Sequence, residues 1–220
     1  MHLIPTQDEV LALIRETGAL RTGHFAYQHG LHTNQHLAAP LAMRYYGHAK
    51  TLSVSLSRLV RANPEIREMI PRLSVVAATM RGLPVAYGLC EALRAHQVYW
   101  AEKESPSQPM HFRQFFEQIP GEEVLLVDDI LRSGKLLHEA QALIESRGGR
   151  VVAVAVLFYQ PTPRTLGFGT LPLYYLAKLE DAYYADAANC ELCRRGVPLE
   201  AIESDARTVE APNKLLTVQA

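Results

Sequence analysis

A chain of 220 residues with 48% apolar composition is long enough to bury a sizeable core. Its formal charge of -1, with both signs interspersed, excludes an extended polyanion-binding face and gives nucleic-acid or membrane partners no compositional support. The start Met1-His2-Leu3-Ile4-Pro5 lacks a basic region followed by an apolar core, and three cysteines are too few for a secreted disulfide framework, so a soluble, cytoplasmic protein is expected.

In chain order, Thr6 to Leu20 places Val10, Leu11, Leu13, Ile14 and Leu20 at helical spacing behind a Thr6 or Asp8 cap, which predicts an amphipathic helix. Thr22 to Asn34 is glycine-punctuated and alternating, which predicts a hairpin. With His36 it carries four of the nine histidines, and by themselves these read as hairpin residues and not as a metal site. Leu41 to Val60 suits a helix that ends near Pro64. Leu73 to Ala78 then reads as the opening strand of the main sheet, followed by the turn Thr79-Met80-Arg81-Gly82-Leu83-Pro84 and a helix to about His96. The backbone amides of that turn would face an anion. Gln97 to Ala101 is a short strand, Glu102 to Pro109 a polar, proline-broken loop, and Met110 to Phe116 an extended return toward Pro120-Gly121. An excursion of that length inside a compact domain is usually functional.

The richest stretch is Val124 to Ala140. Val124-Leu125-Leu126-Val127 predicts a strand buried on both faces of a parallel sheet, with Asp128-Asp129 at its carboxyl end. Arg132-Ser133-Gly134-Lys135 turns the chain, and Leu136, Leu137, Ala140, Leu143 and Ile144 recur with helical spacing until Gly148-Gly149. Ligands of open α/β sheets sit beyond the carboxyl ends of strands, where a helix amino terminus favours anions. A phosphate could rest on the turn. Asp128 and Asp129 would repel it, but they can accept hydrogen bonds from sugar hydroxyls or hold a hydrated divalent cation, so the combination asks for a phosphorylated sugar. The plainer alternative is a turn with a helix cap. A P-loop fails because Gly134-Lys135 lacks the earlier glycine and is followed by Leu136; a dinucleotide fingerprint fails because Gly167-Phe168-Gly169 lacks its third glycine. Val151 to Phe158 and Leu173 to Lys178 are further strands, and Cys190-Glu191-Leu192-Cys193 follows, a dithiol that could bind metal or cycle through a disulfide but has no second cysteine pair. The sum is an α/β protein built on a twisted, mostly parallel sheet flanked by helices.

The stretch around Asp128-Asp129 resembles the PRPP-binding motif of type I phosphoribosyltransferases, in which an acidic pair and two further residues lead into a Thr/Ser-Gly phosphate loop. Ser133 and Gly134 match, Lys135 occurs in the hypoxanthine-guanine branch, and Arg132 and Leu136 stand where small or hydroxyl residues are usual. His24, Phe25, Gly30, Leu31 and His32 are similar to the hood entry of a bacterial branch of orotate phosphoribosyltransferases. Lys103, Met110, Arg113 and Phe116 resemble that branch's excursion, and Cys190 to Leu199 resembles its tail. The likeness spans about Thr22 to Arg207.

The resemblance implies one domain over residues 1–220, with a small hood formed by about residues 20–40 and the C-terminal part. It implies transfer of phosphoribose from PRPP to orotate, giving orotidine monophosphate and pyrophosphate in pyrimidine biosynthesis. PRPP would be bound by Arg81, Gly82, Asp128, Asp129, Arg132, Ser133, Gly134, Lys135 and Leu136, with Lys103, Arg113, Asp128 and Asp129 serving catalysis and Gln28, Tyr159 and Gln160 facing the base. Mg2+ would arrive on PRPP, with Asp128 and Asp129 reaching it through water and no metal held by the protein alone. A homodimer is implied because the excursion reaches a neighbouring site in that branch. Departures keep alternatives open: Leu136 stands in the phosphate turn, Gln114 replaces a second arginine, Phe115 a glycine, and Tyr159-Gln160 the Asp-Arg pair whose arginine meets the base carboxylate. These are a phosphoribosyltransferase for another base, which a neutral amide at Gln160 could read, or a non-catalytic binder of PRPP or nucleotide.

Overall fold

The computed structural model describes residues 4–27, 30–112 and 119–202. The chain opens with α1 (Gln7–Glu16), which Thr6 and Glu9 cap reciprocally: Glu9 N donates to Thr6 Oγ1 at 3.3 Å and Thr6 N to Glu9 Oε2 at 2.7 Å. The hairpin follows as β1 (Leu20–Ala26) and β2 (His32–Leu37). The single helix expected from Leu41 to Val60 is two, α2 (Ala39–Met43) and α3 (Tyr46–Ala62), because Tyr45 takes extended backbone between them. Asn63 then caps the short α4 (Pro64–Met69).

The main sheet begins with β3 (Ser74–Ala77), which leads through a 3-10 turn at Met80–Gly82 into α5 (Leu83–Leu93). Next come β4 (Gln97–Glu102), β5 (His111–Phe112), β6 (Glu123–Leu131), α6 (Lys135–Ser146), β7 (Arg150–Tyr159) and β8 (Leu173–Lys178). The chain closes through β9 (Tyr183–Tyr184), α7 (Glu191–Arg194) and β10 (Glu200–Ala201). Six strands form one sheet in the order β5-β4-β3-β6-β7-β8, parallel throughout except for the antiparallel edge β5.

Alternation along these strands divides the core between two faces. Val75, Ala77, Leu125, Val127, Ala153 and Ala155 pack toward α1, α3 and α5, while Val76, Leu126, Val154 and Val156 pack toward α6. Both faces are covered, which is why these strands read as continuous apolar runs instead of alternating ones. Strand order runs outward from β3 to β4 and then returns to β6, so the switch of direction, and with it the crevice for a ligand, lies between β3 and β6.

A second sheet of four strands, β10-β1-β2-β9, joins the amino-terminal hairpin to C-terminal strands. We call this smaller sheet the hood. Asn34 stitches it by accepting from Ala182 N at 2.9 Å. Cys190 and Cys193 lie against His24 and His32 in this layer, so the dithiol that has no partner in the sequence has one in the fold. Among the described residues no helix is long and apolar enough to cross a membrane.

Helices α3 and α5 meet where Gly88 faces the buried Ser53. A Cβ at Gly88 would lie 2.3 Å from Ser53 Oγ and 2.8 Å from Ser53 Cβ. Gly88→Ala should therefore destabilise the protein by about 1–3 kcal/mol through overpacking, read as a lower urea midpoint, and adding Ser53→Gly should recover it. An unchanged midpoint for the single variant would contradict this close packing.

Candidate active site

Strand β6 does not stop before its acidic pair. It continues through Asp128 and Asp129 to Leu131, because Asp128 stays in register with Val156 and Ile130 with Phe158 of β7. Both carboxyl groups are consequently buried, at 5% and 4% exposure. Asp128 Oδ1 accepts from Thr79 Oγ1 at 2.7 Å and from Asp129 N at 3.0 Å, which ties the end of β6 to the turn after β3. Asp129 Oδ1 accepts from Ile130 N at 2.8 Å, but its Oδ2 is buried without a hydrogen-bond partner. A buried acceptor left unpaired costs about 1–3 kcal/mol, so Oδ2 is the natural place for a ligand hydroxyl. Burial pushes both groups above the usual carboxylate range. For Asp128 the neighbouring Asp129 charge adds to this, giving about 8; for Asp129 the charges of Arg81 and Arg132 pull the other way.

Gly82 is required by contact. A Cβ there would stand 2.7 Å from Asp128 Oδ1 and 2.9 Å from Asp128 Cα, so any side chain would displace the acidic pair or the turn. Arg81, beside it, is exposed and acts electrostatically on both carboxyl groups.

The second turn opens α6. Gly134, at φ 77°, is its cap and has no side chain to satisfy the helix amides, which meet only Ser133 Oγ, 3.4 Å from Lys135 N, and so can take an anion. Ser133 and Lys135 are exposed there and Leu136 is half-buried. The loop after β7 braces the turn: Leu166 N donates to Ser133 O at 2.9 Å, and Phe168 stacks on His138 of α6 with ring centroids 4.5 Å apart. Lys103 pairs with Glu139 of α6 at 2.8 Å, and Lys135 approaches the same carboxylate at 4.0 Å. One glutamate thus gathers both lysines beside the turn.

Arg132 departs from its expected place on the phosphate turn. Its Nε donates to Gln160 Oε1 at 2.7 Å, its terminal nitrogen donates to Leu37 O at the end of β2, and its guanidinium lies over the Tyr27 ring at 5.6 Å. These partners belong to the end of β7 and to the hood. Gln160, fully buried, donates in turn to Asp181, which also accepts from Tyr183 Oη at 3.1 Å. Burial raises the Asp181 carboxyl above its ordinary range, and its Oδ1 has no hydrogen-bond partner. Tyr159, expected at the base, instead packs against Tyr175 of β8 on the α6 side of the sheet. Gln28 and Arg113, with Gln114, Phe115 and Phe116, lie outside the described residues.

The geometry thus brings together Gly82, Asp128, Asp129, the 133–136 turn and, on the hood side, Arg132 with Gln160. Thr79, Asp181 and Tyr27 join them, although no sequence motif marks them. Thr79 looks in sequence like any helix cap, and Asp181 follows the last long strand as an ordinary turn acid.

Residues 72–166, which contain the acidic pair and both turns, match the phosphoribosyl transferase domain family. The fold and site accordingly define an enzyme of the phosphoribosyltransferase class. Over 195 residues the chain is 34% identical to the orotate phosphoribosyltransferase of Acidithiobacillus ferrooxidans, covering 87% of this chain and 93% of that protein. It is 31% identical over 194 residues to that of Thermus thermophilus, covering 88% and 100%. The chain belongs to the orotate phosphoribosyltransferase family. The crystal structure of orotate phosphoribosyltransferase from Aeropyrum pernix shares its fold, with a TM-score of 0.62 at 16% identity over 77% of this chain and 93% of that one.

The raised carboxyl groups have a consequence for stability. An acid whose folded pKa lies above its unfolded value of 3.8 keeps its proton longer in the folded state, so its contribution to stability declines as pH rises from that value toward about 8. Asp129→Asn removes one such group. Because it also removes the Asp129 charge that helps to raise Asp128, its stability relative to the parent protein should improve as pH rises from 3.8 toward about 8, while its PRPP affinity should weaken by roughly 1–3 kcal/mol. Parallel pH profiles in thermal unfolding, with unchanged PRPP affinity by calorimetry, would contradict the assignment.

Proposed function

We propose that this enzyme transfers the phosphoribosyl group of PRPP to orotate, yielding orotidine monophosphate and pyrophosphate. The observation that carries the base assignment is Arg132. The strand-end position where related enzymes keep an arginine is Gln160 here, yet the Gln160 amide holds the guanidinium of Arg132 on the hood side of the crevice. A cation for the base carboxylate is thereby supplied from the neighbouring strand end. The Gln160 amide is fully buried and bonded to Arg132 and Asp181, so it presents no accessible edge with which to read a neutral base.

In this reading the ribose hydroxyls donate to Asp129 Oδ2 and to Asp128, and the 5′-phosphate rests on the amide end of α6 at Ser133, Gly134, Lys135 and Leu136. A nitrogen of the base bonds to the anomeric carbon as the carbon–oxygen bond to pyrophosphate breaks, and the nitrogen's proton is released. Positive charge that builds on the sugar is met by the two carboxylates, and negative charge on pyrophosphate by Arg81 and by Lys103 once it leaves Glu139. Arg113 is proposed for the same role on the strength of the family pattern alone. The buried, unpaired Asp129 Oδ2 suits a hydrated divalent ion as well as a hydroxyl, and Mg2+ carried by PRPP would neutralise the leaving group there. A homodimer is part of the proposal, resting on the family resemblance.

The test is pyrophosphate release by the purified protein with PRPP and Mg2+ across orotate, uracil, adenine and hypoxanthine. Release with orotate alone is expected; release with a different base, or none despite PRPP binding, would overturn the reading. Arg132→Ala should raise the KM for orotate at least about tenfold, as expected for a lost charge-assisted bond, while changing that for PRPP less. A rise confined to PRPP would return Arg132 to the phosphate.

A further inference from the structure

The hood carries a cluster that the transfer reaction does not use. His24 on β1, His32 at the start of β2, and Cys190 and Cys193 around α7 each direct one ligand atom to a common point, all four atoms lying within 4.8 Å of one another. His24 Nε2 is 2.9 Å from His32 Nδ1, 3.4 Å from Cys190 Sγ and 3.6 Å from Cys193 Sγ, and Cys193 Sγ is 3.4 Å from His32 Nδ1. His24, His32 and Cys190 are buried at 1%, 6% and 0% exposure.

Hydrogen bonding alone accounts poorly for this arrangement. His24 Nδ1 lies 2.8 Å from Val197 O and must donate to that carbonyl, so a neutral His24 keeps one lone pair at Nε2. Three groups converge on that single lone pair. A cation shared by all four atoms resolves the conflict, and the three nitrogen–sulfur distances of 3.4, 3.6 and 3.4 Å suit it. With metal–nitrogen bonds of about 2.0–2.1 Å and metal–sulfur bonds of about 2.3 Å, tetrahedral geometry separates nitrogen from sulfur by about 3.5 Å.

We propose that His24 Nε2, His32 Nδ1 and the sulfurs of Cys190 and Cys193 form a structural Zn2+ site that fastens the amino-terminal hairpin to the C-terminal segment. Two nitrogen and two sulfur ligands in a tetrahedral set select zinc among the common divalent ions. Both thiols release their protons to solvent on binding, and the two thiolates then balance the 2+ charge. The Nδ1–H to Val197 O bond fixes the His24 tautomer and ring, as the outer partner of a metal-bound imidazole does. All four positions belong to the protein, three of them buried and Cys193 partly exposed, so the ion has no open coordination position for substrate and acts on structure.

Its effect reaches the crevice through the hood. Tyr27 follows β1 directly and stacks on Arg132, while His32 and Thr33 pair with Tyr184 and Tyr183 of β9, whose Tyr183 holds Asp181. The site therefore clamps the wall that faces Arg132 and Gln160.

Metal analysis of the purified full-length chain tests this independently of the transfer reaction. About one zinc per chain is expected, with Co2+ substitution giving visible d–d bands and near-ultraviolet sulfur-to-cobalt charge transfer. The double variant Cys190→Ser/Cys193→Ser should lose both the metal and the charge-transfer band, and Cys90→Ser, on α5, should keep them. A chelator should lower the thermal midpoint of the parent protein and Zn2+ should restore it. A metal-free protein with no cobalt charge transfer and no thermal response to Zn2+ would overturn the proposal, as would formation of a Cys190–Cys193 disulfide in protein purified with zinc present.

Discussion

Everything at the crevice depends on keeping two carboxyl groups buried side by side at the end of a central strand. Burial and mutual repulsion resist their ionisation, and only part of the cost is met within the protein, by Thr79 Oγ1 and by the amides of Asp129 and Ile130. The unpaired Asp129 Oδ2 leaves the remainder to a ligand. The absence of a side chain at Gly82 follows from the same constraint, since the turn after β3 must lie against Asp128 for Thr79 to reach it. The site is therefore strained toward its substrate, as functional sites often are, and the apolar layers on both faces of the sheet hold it in place.

In the proposed reading, the hood side keeps a cation for the base carboxylate but takes it from another strand end. Replacing an arginine by Gln160 at one strand end looks like loss of a carboxylate-binding group. In three dimensions Gln160 is an adaptor: its carbonyl holds Arg132, which comes from the adjacent strand end, and its amide is anchored by Asp181. The guanidinium is further fixed by Leu37 O and the Tyr27 ring, so a planar cation is already oriented before any ligand arrives.

Much of this was legible in the sequence where the signal is local. The apolar runs of β6 and β7, the acidic pair, the glycine turn and the helix stop at Gly148-Gly149 all follow from period and turn chemistry. What escaped was convergence between distant segments. The direction of Arg132 depends on Gln160 and Leu37, and no periodicity reports that those three meet. The break at Tyr45 lies within apolar spacing that continues on either side, and Tyr159 stands on the α6 face because strict alternation along β7 breaks at Leu157 and Phe158, which both pack on the side of α1, α3 and α5. Likewise the histidines of the hairpin and the cysteines of the tail each lack ligands when read separately, and only the pairing of β1 with β10 and β2 with β9 unites them.

The most direct measurement is a crystal structure of the protein with orotidine monophosphate bound. The account places the ribose hydroxyls on Asp129 Oδ2 and Asp128, the phosphate on the amide end of α6, and the base carboxylate against Arg132. A nucleotide bound with its phosphate on Arg132, or with its ribose away from the acidic pair, would contradict it.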